Sequence, residues 1–245
     1  MAGNTCAIGP PLIDGADGMR KAFKFTGVLI GLLVILAVGA VLVSGGIGYL
    51  DARSDADKLR ARADALIAQG RGGDSIGARH REILLAVEDP NFAEHSGVDF
   101  WTPGAGLTTI TQSASKRLAF DEFRPGFGKI RQTGYALGLE SQLSKEQILA
   151  LWLETLEMGN GPDGRMVGFH NASTVVYGRQ PADLSEAEFI RLVAVLIAPT
   201  SYDLFNPQDG KLEERTARIE RLIAGTCAPA GFSDVWLDGC GQAAQ

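Results

Sequence analysis

The chain has 245 residues, and its 23 Lys and Arg stand against 29 Asp and Glu for a formal net charge of −6. That balance excludes a general nucleic-acid binder, which would need a basic field, but leaves room for a local basic site facing a phosphate. Three cysteines without a Cys-x-x-Cys pair, and the scattered His80, His95 and His170, give no zinc pattern.

Residues 1–18 are polar and Gly- and Pro-containing, the composition of a disordered tail, and Cys6 within them is expected to stay reduced. Residues 25–50 hold no charged side chain. At 1.5 Å per residue they reach roughly 39 Å, enough to cross a hydrocarbon core of about 30 Å with tilt. A cleaved signal peptide would have a shorter apolar core, of about 7–15 residues. Arg20, Lys21 and Lys24 precede the run and mixed charges follow it. The positive-inside rule then predicts residues 1–24 as a cytoplasmic tail, 25–50 as a single transmembrane helix, and the remainder outside. Cys227 and Cys240 would lie in that exported part, where a disulfide is permitted.

The remaining chain reads as mostly α. Leu59, Ala63, Leu66 and Ile67 recur at helical spacing after the anchor, so residues 51–75 form a juxtamembrane helix and linker, broken at Arg71-Gly72-Gly73-Asp74. Ile83, Leu84 and Val87 mark the next helix, closed by Pro90. Helices are predicted at Thr108–Leu118, with Thr108 as a candidate N-cap, and at Lys129–Leu143. Ser144-Lys145-Glu146-Gln147 and Ser185-Glu186-Ala187-Glu188 are capping boxes that open two more. The glycines of Gly159–Gly168 predict an irregular segment, and no strand is expected. Asn171–Val176 and Lys211–Ile223 read as helices. The domain is placed at residues 76–210, with 211–245 as a C-terminal helix and tail.

Two strings look chemical. Glu88-Asp89-Pro90-Asn91-Phe92-Ala93-Glu94-His95-Ser96-Gly97 puts a carboxylate at the negative end of a helix, which disfavours ionisation and suits a general base. In Gly106–Lys116, a glycine precedes hydroxyls in a helix's first turn, a candidate cradle for an anion or a sugar. Gln112 and Lys116 share one face of that helix.

These strings, in this order, resemble the motifs of the peptidoglycan glycosyltransferase family, the lysozyme-like domain of monofunctional biosynthetic transglycosylases and bifunctional penicillin-binding proteins. Glu88 through Gly97 matches E-D-x-x-F-x-x-H-x-G at every fixed position. Gly106, Thr109, Ile110, Thr111, Gln112 and Lys116 match G-x-S-T-I-T-Q-Q-x-x-K, with Thr108 for Ser and Ser113 for the second Gln. Lys129, Ser144, Lys145, Ile148 and Leu149 follow a third motif, and Gly168–Gly178 and Leu184–Pro207 two more. The sequence departs from the family at Gln132, where the family has a second glutamate, at Gly128 for an arginine, and at Glu154 for an asparagine. The stretch from His95 to Gly106 is also shorter than the family's.

The resemblance implies polymerisation of lipid II into glycan strands at the bacterial cytoplasmic membrane, with release of undecaprenyl pyrophosphate. Glu88 would be the base and Gln132 would replace the acid facing the pyrophosphate. Lys116, Lys129, Thr109, Thr111, Gln112, Asp89 and His95 would form the substrate site. A divalent cation, Mg²⁺ or Mn²⁺, is an optional helper in this reading, and other wall-synthesis proteins are candidate partners. Two further readings stand beside it. One is a silent relative that only binds lipid-linked precursor or partners. The other is a glycan-cleaving lytic enzyme, suggested by Glu140-Ser141. Phe100, Trp101 and Phe120 read either as core or as a face touching lipid.

Overall fold

A computed structural model describes residues 15–120, 122–124 and 126–241. Cys6 and the first part of the tail lie outside the described residues. The chain divides into two compact units, Met1–Val43 and Ser44–Gln245. Helix α1 (Gly15–Ala68) starts inside the stretch expected to be disordered and continues without a break through the juxtamembrane segment. By length and composition it contains a stretch apolar enough to cross a membrane, and the side chains there are exposed, Ile35 and Leu42 each by 69%.

From Ser44 onward α1 belongs to the folded domain rather than standing off as a linker. Ala52, Ala56, Leu59, Ala63 and Leu66 are buried in the core, as the helical spacing required. Four polar ties add to this: Asp51 pairs with Arg131 at 2.6 Å, Asp55 accepts from the Tyr135 hydroxyl at 2.8 Å, Arg60 donates to the Gln142 carbonyl, and Asp64 accepts from Gln147.

The partner of this stretch is α4 (Phe127–Glu140), and the two backbones nearly touch. A Cβ on Gly134 would sit 1.9 Å from the Gly45 carbonyl oxygen, and one on Gly48 would sit 2.1 Å from that of Arg131. Small residues four apart let helices approach this closely. Here Gly134 and Gly138 face Gly45, Gly48 and Ala52.

The centre is α5 (Lys145–Thr155), buried over Ile148–Leu153, so it is apolar on all sides as a fully enclosed helix must be. Its Ser144 capping box is formed, as is the Ser185 box of α7 (Glu186–Ala194). Helices α3 (Ile110–Ala119), α4 and α6 (Phe169–Tyr177) pack on α5, while α2 (Ala78–Glu88) and α8 (Gly210–Ile223) pack on α7. His80 on α2 stacks on Phe189 of α7 with ring centroids 4.1 Å apart. Helix α7 ends at Ala194, short of Pro199, because the following residues turn to bring Leu196 and Ile197 to the cleft described below.

The expectation of no strand fails at one place. β1 (Glu157–Gly161) and β2 (Gly164–Val167) form an antiparallel hairpin with Gly161 opposite Gly164. Glycines on both sides of the two-residue turn permit the tight reversal, and Met158 and Met166 bury one face. The other departures are small. Helix α3 is capped by Thr109 rather than Thr108, and α4 ends at Glu140 rather than Leu143.

The α1–α4 contact gives a prediction whose sign opposes helix propensity. Gly134→Ala should stabilise an isolated helix, yet overpacking against the Gly45 carbonyl should cost about 1–3 kcal/mol or more. Thermal unfolding of wild type and variant measures it, and a higher Tm for the variant would mean the backbones do not touch.

Candidate functional site

Asp89 organises the site. It caps the C-terminus of α2, is 1% exposed, and makes three hydrogen bonds. His95 Nε2 donates to its oxygens at 2.9 and 3.0 Å, and the Ile110 amide donates to Oδ2 at 2.9 Å. His95 Nδ1 accepts from the Gly97 amide at 3.0 Å, which assigns the ring proton to Nε2. Thr109 Oγ1 donates to the Gly97 carbonyl at 2.7 Å and also caps α3, with Gln112 completing the box. So Asp89, His95, Thr109 and Gln112 join the end of α2 to the start of α3. They are buried supports, and of the four only Thr109 lines the cleft.

Glu88, one residue before Asp89, is thereby aimed into a cleft of about 410 Å³ lined also by Thr108, Ser113, Trp152 and Arg215. Glu88 is half-buried at the cleft wall, and desolvation by the surrounding protein pushes its pKa up to about 7. Arg215 and then Arg117 pull the other way, while Asp89 adds to the push. The result is a carboxyl that titrates near neutrality between two guanidinium groups.

Neither arginine stood out in the sequence. Arg117 lies on α3 beside Lys116, donating to Ser113 Oγ at 3.0 Å and Thr155 Oγ1 at 3.2 Å, and burial lowers its pKa to about 10. Arg215 sits on α8 and is 4% exposed. Its Nε and Nη1 find no acceptor among the described residues. The Trp152 indole N–H, also at the cleft, is likewise unmatched among them. Both residues line the cleft, but these unmatched atoms are themselves sealed from solvent. The one available signal was an arginine on the otherwise apolar Leu212–Ile219 stripe of α8.

Neither predicted lysine lines the cleft. Lys129 Nζ donates to Thr108 Oγ1 at 3.0 Å, and burial, with Lys116 nearby, holds its pKa below the usual lysine range. Lys116 is exposed, its Nζ 5.2 Å over the Phe123 ring. Thr111 is buried away from the cleft, donating to Glu140 Oε1 at 2.5 Å. Glu140 also pairs with Lys145 at 2.8 Å and does not line the cleft that holds Glu88.

Gln132 does not line the cleft. It is 2% exposed between α3 and α4, donates from Nε2 to the Gln112 carbonyl at 2.5 Å, and leaves Oε1 without a partner among the described residues. Among the described residues no three His, Cys, Asp or Glu side chains gather as a metal cage. With an amide at position 132, the donor set does not fit a fixed divalent cation.

The transglycosylase family model matches residues 71–223, and the chain belongs to that family of peptidoglycan glycosyltransferases. It is 33% identical over 154 residues to penicillin-binding protein 1A of Pseudomonas aeruginosa, a match that covers 57% of this chain and 18% of that protein. It is 28% identical over 149 residues to penicillin-binding protein 1A of Neisseria lactamica, covering 55% and 18%. The chain thus spans under a fifth of the length of these relatives.

Two predictions follow from the burial of Glu88 and Gln132. A carboxyl whose folded pKa is raised stabilises the fold most below its unfolded pKa, and that stability is lost as pH rises toward 7. Glu88→Gln does not titrate, so its Tm should exceed that of wild type increasingly from about pH 4.5 to pH 7, by an amount worth roughly 2–4 kcal/mol. A gap that stays flat with pH would contradict the burial. Conversely, Gln132→Glu would set a carboxylate against the Gln112 carbonyl and should destabilise by about 1–3 kcal/mol at pH 8, less at pH 5, where the acid can donate. Melting curves at the two pH values decide it.

Proposed function

We propose that the chain is a membrane-anchored polymerase of lipid II. The acceptor sugar's 4-hydroxyl gives its proton to the Glu88 carboxylate as that oxygen attacks the anomeric carbon of the growing strand. The configuration inverts and undecaprenyl pyrophosphate leaves. Lys129, which donates to the cleft residue Thr108, and Lys116 near it meet the charge that develops on the leaving pyrophosphate, and the cleft residues Arg215 and Trp152 flank the sugars. The observation that carries this reading is a carboxyl with pKa about 7 lining a cleft within the family's matched region. A base of that pKa is half ionised at neutral pH, near the optimum for proton transfer.

In this proposal residues 1–24 face the cytoplasm and the Ser44–Gln245 unit faces outward. The exported face holds the enzyme next to the isoprenoid-borne substrate, raising its effective concentration. Phe100 and Trp101 are 52% and 86% exposed, and Phe120 is half-buried against Phe123. Such exposed aromatics suit a membrane interface and are not core.

Lipid II polymerisation by the full chain in detergent tests the reading. Glu88→Gln should lose about 10²–10⁴ in rate. Wild-type activity should rise with pH through about 7, as the base ionises. If the folded wild type binds lipid II but makes no strand, the binding-only reading replaces this one. For the membrane face, Phe100→Ser with Trp101→Ser in a chain beginning at Ser44 should weaken binding to vesicles of anionic bacterial lipids, with a change in stability within about 0.5 kcal/mol. A large fall in Tm would return the pair to the core.

A further inference from the structure

The segment after α8 lies beyond the residues matched by the family model, yet it reaches the cleft. Cys227 and Cys240 are joined in a disulfide that closes it into a loop. The loop is built rather than loose. The Asp234 carboxylate accepts from the amides of Ala230, Asp238 and Gly239, while Arg221 of α8 donates to the Cys240 carbonyl at 2.7 Å. Arg218 of the same helix donates to the Trp236 carbonyl at 3.0 Å and pairs with Asp238. Leu237 and Cys240 are buried in the core.

The loop grips the short strip between the two signature strings. The Gly104 amide donates to the Gly231 carbonyl and the Gly106 amide to that of Phe232, each at 3.0 Å. Gly106 has φ +64°, and a Cβ there would lie 2.5 Å from Val235 Cγ1. Val235 lines the same cleft as Glu88. The strip lines the cleft through Gly104, Ala105 and Leu107, and the loop backs this wall and adds Val235 to it.

We propose that the stapled loop is a specificity wall of the Glu88 cleft, with Val235 as its contact residue, and that the Cys227–Cys240 bond holds it closed against bulky saccharides. As a statement about substrate, this rests on the polymerase reading. Reduction by a dithiol breaks the S–S bond, leaves two protonated thiols, and converts the dithiol to its cyclic disulfide. The loop then loses its covalent closure, the Gly231 and Phe232 carbonyls release Gly104 and Gly106, and the cleft widens beside Glu88.

The test uses the full chain in detergent as oxidised wild type, dithiol-treated wild type, and the Cys227→Ser/Cys240→Ser variant. Two readouts need no substrate. Hydrogen exchange at the Gly104 and Gly106 amides should quicken roughly tenfold on reduction while the α5 amides stay protected, as expected of local opening. Labelling of Glu88 by a water-soluble carbodiimide with an amine nucleophile should rise about threefold, since opening governs access. The double variant should match the reduced protein and ignore dithiol. Should it fail to fold, Val235→Ala, which widens the cleft with the staple intact, should raise Glu88 labelling in the oxidised protein. The third readout is the ratio of Kd values for lipid pyrophosphates carrying a tetrasaccharide and a disaccharide. It should fall about threefold when the wall is released. Unchanged exchange and labelling overturn the proposal, as does faster exchange with unchanged labelling, which would make the loop a clamp only. If neither lipid binds the oxidised protein, the polymerase reading falls while the first two readouts still decide the wall.

Discussion

The Asp89 carboxylate is the contact on which the rest of the site depends. It accepts hydrogen bonds from a histidine on the loop after α2 and from the first amide of α3, so two helices and the loop between them meet at one buried side chain. Every one of its bonds is made in the interior, where an unmatched acceptor is expensive. That cost discriminates strongly against other arrangements of the loop. Because Glu88 is the neighbouring residue on the last turn of α2, the same contact sets where the acid points.

The acid's chemistry then follows from enclosure. A carboxyl in water would stay ionised far below neutrality. Burial at a helix end raises its pKa to about 7, and two guanidinium groups limit the rise. The domain is less stable for keeping an ionised acid there. The unmatched buried donors of Arg215 and Trp152 belong to the same compromise, since each such group costs stability.

Close packing elsewhere makes the compromise tolerable. Helix α5 is apolar around its whole circumference over Ile148–Leu153 and forms a rigid centre. The Gly134–Gly45 contact binds the end of the long N-terminal helix into the domain at backbone distance. The stretch from Asp51 to Leu66, expected as a juxtamembrane helix, is therefore a helix that is also part of the domain's packing.

Much was legible in sequence because it is local. The uncharged run of residues 25–50, the Ser144 and Ser185 capping boxes, and the apolar stripe Ile83, Leu84 and Val87 depend on neighbours within a turn or two, and each took the form its spacing required. The motif that carries Glu88 was equally plain, since its residues lie within ten positions. What depended on distant partners was not. Nothing near Gln132 in sequence reveals that its amide is spent on the Gln112 carbonyl, away from the cleft. Arg215 and Val235 reach Glu88 from more than a hundred residues away, through the packing of α8 and the stapled loop. Glycines near residue 160 signalled irregularity, yet two buried methionines turned them into a hairpin. The sequence by itself determined the family, the helices and the place of Glu88 at the end of α2, because short-range patterning is sufficient for each. Only the tertiary structure decided which side chains surround that acid and how its charge is balanced, because desolvation and Coulomb forces act across space and take no account of position along the chain.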